Sequence, residues 1–240
     1  MTETLPAAAE TLPQYARQVL VCLSDPASPL AEAFRQLRTS IQYSSPEHPV
    51  RTILATCTRT DEGKTATLAN LAITLAQADR KVVLVDCDLR RPSLHHLFGV
   101  DNSKGLSTVL LNGTEQELPL QECGVPGLRL LPSGPPPPNP AELLGSQRMT
   151  EVVERLSSQN DYVLFDTPPV IAVADAAVLA PGMDGVLLVL KAGKTKRDMA
   201  QRAKAILQKV NAHVLGVVLN NVKYDVGAQS YYANQRRSHA

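Results

Sequence analysis

The chain has 240 residues, 44% of them hydrophobic, which suits one α/β domain or at most two small ones. Its net charge is +1 at pH 7, so no strong overall field favours nucleic acid or acidic lipid as a partner. The four cysteines lack the spacing of a metal site or a disulfide framework, which fits a cytoplasmic location. No apolar run approaches the roughly 18 residues that span a bilayer, and no secretory signal is visible, so we expect a partner to provide any membrane contact.

Residues 1–28 are rich in Ala, Pro and Thr and predict a flexible or surface-lying arm, in which only residues 19–23 have the character of a short edge strand. A helix is predicted to begin at Ser28-Pro29, because serine caps a first turn and proline suits the first helical position. On the face away from its apolar residues, this helix carries three charged residues spaced three apart. By themselves, these charges indicate a solvated face with weak ion pairs. These residues are Glu32, Arg35 and Arg38.

An apolar strand at residues 53–55 is followed by a polar loop, by Gly63-Lys64-Thr65 and by apolar residues at helical spacing. This is the layout of a Walker A phosphate loop, in which Lys64 would reach the β- and γ-phosphates and the Thr65 hydroxyl would bind Mg²⁺. The pattern requires glycine five residues before Gly63, where Thr58 stands. From these residues alone, an ordinary helix start therefore remains the alternative.

The next strand, residues 81–85, is apolar on both faces and ends in Asp86 and Asp88. Side chains at i and i+2 of a strand point the same way, and two like charges side by side favour a nearby cation. Mg²⁺ prefers such oxygen ligands, and the carboxyl ends of parallel strands are where α/β proteins bind their ligands. The pair therefore predicts a magnesium site at this edge of the sheet.

The strand at residues 162–165 ends in Asp166, which has the form of a Walker B aspartate. Further strands are predicted at 128–131, 186–190 and 214–219, with helices between them. Strands that alternate with helices predict a mainly parallel sheet covered by helices on both faces, an α/β fold. Residues 29–222 would form this domain, and residues 223–240 a mobile polar tail that contains Tyr224, Tyr231 and Tyr232.

In this combination and order, the motifs resemble those of the bacterial tyrosine kinases of capsule and exopolysaccharide synthesis, of the cytoplasmic CpsD/CapB-like type. These kinases lie within the MinD/ParA-like P-loop NTPases. The Asp-x-Asp-x-Arg element separates them from ordinary P-loop proteins. The matching motifs are Glu32-x-x-Arg35-x-x-Arg38, Gly63-Lys64-Thr65, Asp86-x-Asp88-x-Arg90 and Asp166-Thr167-Pro168-Pro169.

The resemblance implies an ATP-dependent tyrosine autokinase with ATP or ADP and Mg²⁺ as its cofactors. Lys64, Asp86 and Asp88 would be catalytic, with Asp88 as the base or the group that orients the attacking tyrosine hydroxyl. Thr65, Asp86 and Asp166 would organise Mg²⁺. The residues implied to bind nucleotide are Thr60, Asp61, Glu62, Gly63, Lys64, Thr65, Ala66 and Asn220.

The resemblance also implies assembly into a homo-oligomeric ring through Glu32, Arg35 and Arg38. Three tail tyrosines of one subunit would be autophosphorylated in the site of its neighbour: Tyr224, Tyr231 and Tyr232. A transmembrane activator of the polysaccharide co-polymerase type would hold the kinase at the inner face of the membrane. No nucleic-acid partner is expected.

The loop departs from the family pattern because Thr60-Asp61-Glu62 replaces Pro-Gly-Glu, so Asp61 stands where glycine would accept a positive φ. We therefore expect weaker or slower nucleotide use than in typical relatives. One alternative is a MinD/ParA-type ATPase switch, although Arg59 stands where those proteins carry a second lysine and the tail lacks a membrane-binding amphipathic helix. The other alternative is a kinase-like scaffold with impaired turnover.

Overall fold

The structure is a computed structural model that describes residues 13–45, 49–113 and 117–222. Seven strands of this part of the chain form one sheet in the order β3-β4-β2-β5-β1-β6-β7. The short β3 is antiparallel to β4, and the other neighbours are parallel. The strands are β1 (Thr52–Cys57), β2 (Val82–Asp86), β3 (Gln121–Glu122), β4 (Leu128–Leu131), β5 (Tyr162–Asp166), β6 (Gly185–Lys191) and β7 (Val214–Asn220).

Helices cover both faces of the sheet, and each face has its own hydrophobic cluster, so the predicted α/β architecture is confirmed. One cluster joins the sheet to the N-terminal helices and to the helix after the phosphate loop, and the other joins it to the later helices. The helices are α1 (Gln14–Val19), α2 (Val21–Ser24), α3 (Pro29–Gln42), α4 (Lys64–Ala76), α5 (Leu94–Phe98), α6 (Leu106–Asn112), α7 (Pro140–Leu144), α8 (Gln147–Gln159), α9 (Asp175–Leu179) and α10 (Arg197–Lys209).

The predicted flexible or surface-lying arm is wrong for the part of residues 1–28 that the structure describes. Residues 14–24 form α1 and α2, and residues 19–23 are not an edge strand. Leu20 and Cys22 are buried against α4. Asn70 of α4 fixes this segment, because its side-chain amide donates to the Val19 carbonyl at 2.8 Å and accepts from the Cys22 N–H at 3.0 Å. Packing of the apolar side chains on α4 and satisfied backbone groups therefore favour helices here.

The predicted start of α3 is confirmed, since the Ser28 hydroxyl accepts a hydrogen bond from the N–H of Ala31 at 3.1 Å and Pro29 is the first helical residue. The sheet places the ends of β1, β2 and β5 side by side, with Asp86 and Asp166 directly opposite each other in the parallel register. The carboxyl ends of these three strands position the candidate site.

Candidate active site

The phosphate loop connects β1 to α4 and is fastened from within by Glu62. The Glu62 carboxylate is 1% exposed and accepts hydrogen bonds from the N–H of Thr58 at 2.7 Å and its hydroxyl at 2.8 Å. The Arg59 N–H, at 3.3 Å, and the Thr195 hydroxyl also donate to it. The Glu62 side chain thus holds the loop closed, and its hydrogen-bonding capacity is largely used within the protein.

Thr195 lies between β6 and α10, and its side chain connects this segment to the phosphate loop. Its hydroxyl accepts from the Lys191 N–H at 2.9 Å and donates to Glu62, while α10 begins at Arg197. The ammonium group of Lys191 also donates to the Asp61 carbonyl at 3.2 Å. The segment after β6 is therefore a brace beneath the phosphate loop.

Two residues of the loop have the left-handed conformation. Gly63 has a φ of 83°, and a Cβ there would lie 1.9 Å from Nδ2 of Asn220, so only glycine fits without movement. Asp61 has a φ of 65°. The positive φ inferred for this position is thereby confirmed, and an aspartate adopts it where the family pattern has glycine.

Lys64 lies at the first turn of α4 and points to the end of β5. Its ammonium group forms a short ion pair with Asp166 and lies 3.2 Å from the Thr65 hydroxyl, which donates to the other Asp166 oxygen at 2.7 Å. The side chains of Lys64 and Asp166 are 8% and 1% exposed. Burial alone would lower the pKa of Lys64, but the charge of Asp166 and the hydrogen bond to it outweigh burial and raise the pKa.

Asp86 ends β2 and is completely buried beside Asp166. Its carboxylate accepts from the backbone N–H groups of Ser93 and Leu94, both at 3.1 Å, and of Asp88 at 3.2 Å. Burial, followed by the charge of Asp166, raises the pKa of Asp86 to about 7, against the lowering effect of these hydrogen bonds. The buried carboxylates of Asp86 and Asp166 thus lie side by side near a single lysine, Lys64, and a divalent cation would stabilise this arrangement.

Asp88 is partly exposed and accepts from the Arg91 N–H at 3.0 Å. Burial is the main cause that raises the pKa of Asp88. The turn that carries it is anchored by Arg90, whose guanidinium donates to the two carboxylate oxygens of Asp175 at 2.9 and 3.0 Å. Because Asp175 is fully buried in α9, the position of this turn depends on a helix almost ninety residues further along the chain.

A cavity of about 300 Å³ opens above the loop and the first turn of α4, and we call it the loop cavity. The seven residues 60–66 that the resemblance implies for nucleotide binding all line it, and so does Asp88. Asp86 and Asp166 are buried at the adjacent strand ends. Four further lining residues had no site role assigned from the sequence, although Pro169 belongs to the Asp166-Thr167-Pro168-Pro169 motif: Cys57, Arg91, Ser93 and Pro169.

Asn220, the other residue implied to bind nucleotide, ends β7 and does not line this cavity. Its side-chain amide donates to the Glu62 carbonyl at 3.0 Å, and its carbonyl oxygen accepts from the Asn221 N–H at 2.8 Å. In the structure, Asn220 therefore supports the backbone of the phosphate loop. Contact with a nucleotide base stays a prediction.

The three charged residues of α3 differ in what they contact. Arg35 forms an ion pair with Glu32 at 2.6 Å within the helix and donates to the Pro26 carbonyl at 2.9 Å. Arg38 instead donates to the carbonyl of Thr74 in α4 at 2.7 Å, and its Nε is buried without a hydrogen-bond partner among the described residues. Tyr224, Tyr231 and Tyr232, the predicted phosphorylation sites, lie outside the described residues.

Sheet topology and site together define a P-loop protein with the nucleotide-binding domain of the MinD/ParA class. The family description "CobQ/CobB/MinD/ParA nucleotide binding domain" matches residues 53–239. The septum site-determining protein MinD of Pyrococcus horikoshii has a TM-score of 0.61 at 24% identity, over 75% of this chain and 76% of that one, which supports the fold alone.

The chain belongs, more narrowly, to the bacterial tyrosine kinases. It is 38% identical to tyrosine-protein kinase YwqD of Bacillus subtilis (strain 168), over 90% of this chain and 92% of that protein. It is 36% identical to putative tyrosine-protein kinase CapB of Staphylococcus aureus, over 86% and 91%. The kinase domain of the Escherichia coli tyrosine kinase ETK has a TM-score of 0.79 at 33% identity, over 86% and 82%.

The crystal structure of the chimerical protein CapA2B2 is also similar, with a TM-score of 0.82 at 35% identity, over 86% of this chain and 91% of that one. These similarities confirm the resemblance drawn from the motifs. In the described part of the chain, no helix combines the length and apolar character needed to cross a bilayer.

Proposed function

We propose that this protein transfers the γ-phosphoryl group of ATP to tyrosine hydroxyls, including those of its own C-terminal tail. The observation that carries the proposal is the convergence of Lys64, Thr65, Asp86, Asp88 and Asp166 at one rim of the sheet, next to the loop cavity. Phosphoryl transfer requires mostly positioning and charge neutralisation, and this set offers a phosphate-binding lysine and carboxylates for a metal.

The donor set fits Mg²⁺, which is usually bound through one or two carboxylates together with substrate phosphates. Thr65, Asp86 and Asp166 offer a hydroxyl and two carboxylates, and a bound cation would offset the burial and the charge of Asp166 that raise the pKa of Asp86. When bound, Mg²⁺ would neutralise charge on the phosphate oxygens. Lys64 would then leave Asp166 to bind the β- and γ-phosphates, while the N–H groups at the start of α4 contact phosphate oxygens.

Asp88 would accept the tyrosine proton. Two observations support this role: Asp88 lines the loop cavity, and its raised pKa makes it a better base than an ordinary aspartate. A phenol has a pKa near 10, so assistance in losing its proton is useful. The positively charged Lys64 would stabilise the charge that develops on the transferred phosphoryl group.

The physiological part of the proposal is control of capsular or exopolysaccharide synthesis and export. Names of relatives such as CapB and CpsD support it. The kinase would act in the cytoplasm at the inner face of the membrane, where a transmembrane activator of the polysaccharide co-polymerase type recruits it. A homo-oligomeric ring, with Glu32, Arg35 and Arg38 at its interface, would bring the tail of one subunit to the site of the next.

A kinase-like scaffold with impaired turnover is the second candidate, and the aspartate at a positive φ in the phosphate loop favours it. Incubation with Mg²⁺ and ATP, with and without the cytoplasmic segments of the activator, followed by phosphotyrosine mass spectrometry, separates the candidates. Phosphotyrosine in the wild type, and none in Lys64→Met, supports the kinase. ATP hydrolysis without phosphotyrosine indicates a MinD/ParA-type switch, and nucleotide binding without turnover indicates a scaffold.

A further inference from the structure

A second cavity of about 440 Å³ adjoins the loop cavity, and we call it the proline cavity. The two cavities share four lining residues, and one of these is Asp88. The other walls of the proline cavity are mainly apolar, in contrast to the polar phosphate loop. The apolar walls are formed by Pro168, Pro169, Ile171, Ala172 and Val173.

The apolar wall of the proline cavity suits an aromatic ring that has one polar end. A tyrosyl side chain buries its ring against apolar surface and keeps its hydroxyl near a polar partner. A ring seated against Pro169 and Ile171 can direct its hydroxyl towards Asp88, which lines both cavities. The geometry therefore separates a polar site for phosphate from an apolar site for the acceptor.

The rim of the proline cavity is cationic. Arg59, Arg90 and Arg91 all line it, but the guanidinium of Arg90 is held by Asp175. Arg59 and Arg91 are exposed, and the Arg59 guanidinium is 3.9 Å from Glu62, whose carboxylate is already bonded within the loop. Two exposed arginines therefore face one partly exposed carboxylate, that of Asp88, which leaves the rim positively charged.

We propose that the proline cavity binds the acceptor tyrosine and that Arg59 and Arg91 favour a tyrosine with an acidic neighbour. The occupant from this chain is the segment Lys223-Tyr224-Asp225 of a neighbouring copy. Tyr231 and Tyr232 are followed by Ala and Asn, and then by Arg236 and Arg237, so Tyr224 is the preferred site. This inference names the acceptor for the kinase activity proposed above and rests on it.

The reaction at this acceptor balances without a further reactant. The phenol oxygen of Tyr224 forms a bond to the γ-phosphorus, and the bond from that phosphorus to the β–γ bridging oxygen breaks. ADP leaves with the electron pair of that bond, and the phenol proton passes to Asp88. Arginine recognition of a neighbouring carboxylate adds specificity without taking part in bond making.

The first test uses the full-length protein, Mg²⁺, ATP and the activator with three peptides of residues 220–229: the natural sequence and its Asp225→Asn and Asp225→Lys forms. The wild type should show a kcat/KM about threefold higher for the natural peptide than for the Asn form, and a larger preference over the Lys form. Arg59→Gln and Arg91→Gln should each move the ratio of natural to Asn peptide towards one. Arg202→Gln, an exposed arginine of α10 outside the cavity, is the control that should keep it.

The second test examines the apolar wall. Ile171→Asn should raise KM for all three peptides by about tenfold, while the affinity for fluorescent ADP is unchanged. Val178→Asn changes an exposed branched residue of α9 that does not line the proline cavity, and it should leave KM unchanged. If Ile171→Asn lowers ADP affinity or fails to fold, Ile171→Thr gives the same comparison with a smaller change.

The outcomes separate this inference from the proposed activity. Phosphotyrosine that forms equally on the natural and Lys peptides, or an unchanged preference in Arg59→Gln and Arg91→Gln, overturns the acceptor inference and leaves the kinase activity standing. Absence of phosphotyrosine on every peptide and on the protein itself overturns both. In the full chain, mass spectrometry over time should find phosphate on Tyr224 before Tyr231 and Tyr232, and the reverse order also counts against the inference.

Discussion

The ammonium group of Lys64 pairs with Asp166, and the neighbouring Thr65 hydroxyl bonds the other oxygen of the same carboxylate. The lysine that we expect to bind phosphate and two expected metal ligands are thus joined to each other. In the proposed function, binding of Mg²⁺ and nucleotide would separate Lys64 from Asp166. The buried pair is consequently part of the stability of the nucleotide-free fold as well as of the proposed chemistry.

Replacement of Lys64 by methionine should therefore have two effects. It should abolish phosphotyrosine formation, and it should lower the free energy of unfolding by about 3 kcal/mol, because Asp166 loses its buried partner. Lys81→Met, at an exposed lysine, is the control that should change neither. Urea denaturation and phosphotyrosine mass spectrometry measure the two effects, and a Lys64→Met protein as stable as the wild type would contradict the predicted loss of stability.

Asp86 should make the nucleotide-free protein less stable as pH rises. Its pKa is raised from 3.8 to about 7 in the folded state, so between these values the folded state holds a proton that the unfolded state releases. The free energy of unfolding should fall over this window, by an amount on the order of a few kcal/mol. Asp86→Asn, measured by urea denaturation from pH 4.5 to 8, should lack this component.

Magnesium provides the control for the pH prediction. Added Mg²⁺ supplies positive charge beside Asp86, lowers its pKa and should restore stability above pH 7 in the wild type but less so in Asp86→Asn. Stability curves of the wild type and the variant that run parallel across the whole range would show that Asp86 does not titrate there.

Asp61→Gly should tighten ATP binding by about fivefold, because it removes a carboxylate near the phosphates and a side chain at a φ of 65°. Stability should change by less than about 1 kcal/mol, since relief of strain is offset by the flexibility of glycine. Asp79→Gly is a matched control, because Asp79 has a φ of 58° and lies in the turn after α4, away from the loop cavity. Calorimetric titration with an ATP analogue measures the affinity of both variants, and equal affinities of Asp61→Gly and the wild type would count against the prediction.

The contacts of α3 predict different results for its three charged residues. Glu32→Ala and Arg35→Ala remove a partly exposed pair worth about 0.5 kcal/mol, and Arg35→Ala also removes an exposed hydrogen bond to Pro26, so they should change the oligomeric mass with little loss of stability. Arg38→Ala also removes a hydrogen bond to α4 and should lower the melting temperature. Light scattering and thermal unfolding separate the effects, and an unchanged mass in Glu32→Ala and Arg35→Ala would remove these two from the proposed interface.

Asp175→Asn should slow phosphoryl transfer through a contact outside the loop cavity. The variant weakens the pairing with Arg90 that positions the turn of Asp88, so kcat should fall about tenfold with ADP affinity unchanged. Stability should fall by about 2 kcal/mol, less than for a fully buried pair because Arg90 is partly exposed. Asp161→Asn, at an exposed aspartate, is the control. An unchanged kcat would show that the turn keeps its position without this ion pair.

The sequence determined the six parallel strands, their order along the chain and the three acids at or just after strand ends, because these features follow from local patterns. The two-residue antiparallel β3 was not predicted. An apolar run bounded by a polar loop predicts a buried strand, and parallel pairing brings the ends of such strands to one rim. Lys64, Asp86 and Asp166 could be associated for that reason before any coordinates. The family motifs added roles that spacing alone left open.

The tertiary structure alone decided which distant residues complete the site. Thr195 and Asn220 support a loop more than 130 residues earlier, Asp175 fixes the turn of Asp88, and Asn70 holds residues 14–24 as helices. No local pattern identifies such contacts, because each depends on how crossover connections and packed helices bring remote side chains together. The proline cavity likewise arises only where the phosphate loop, the Asp88 turn and the segment after β5 meet.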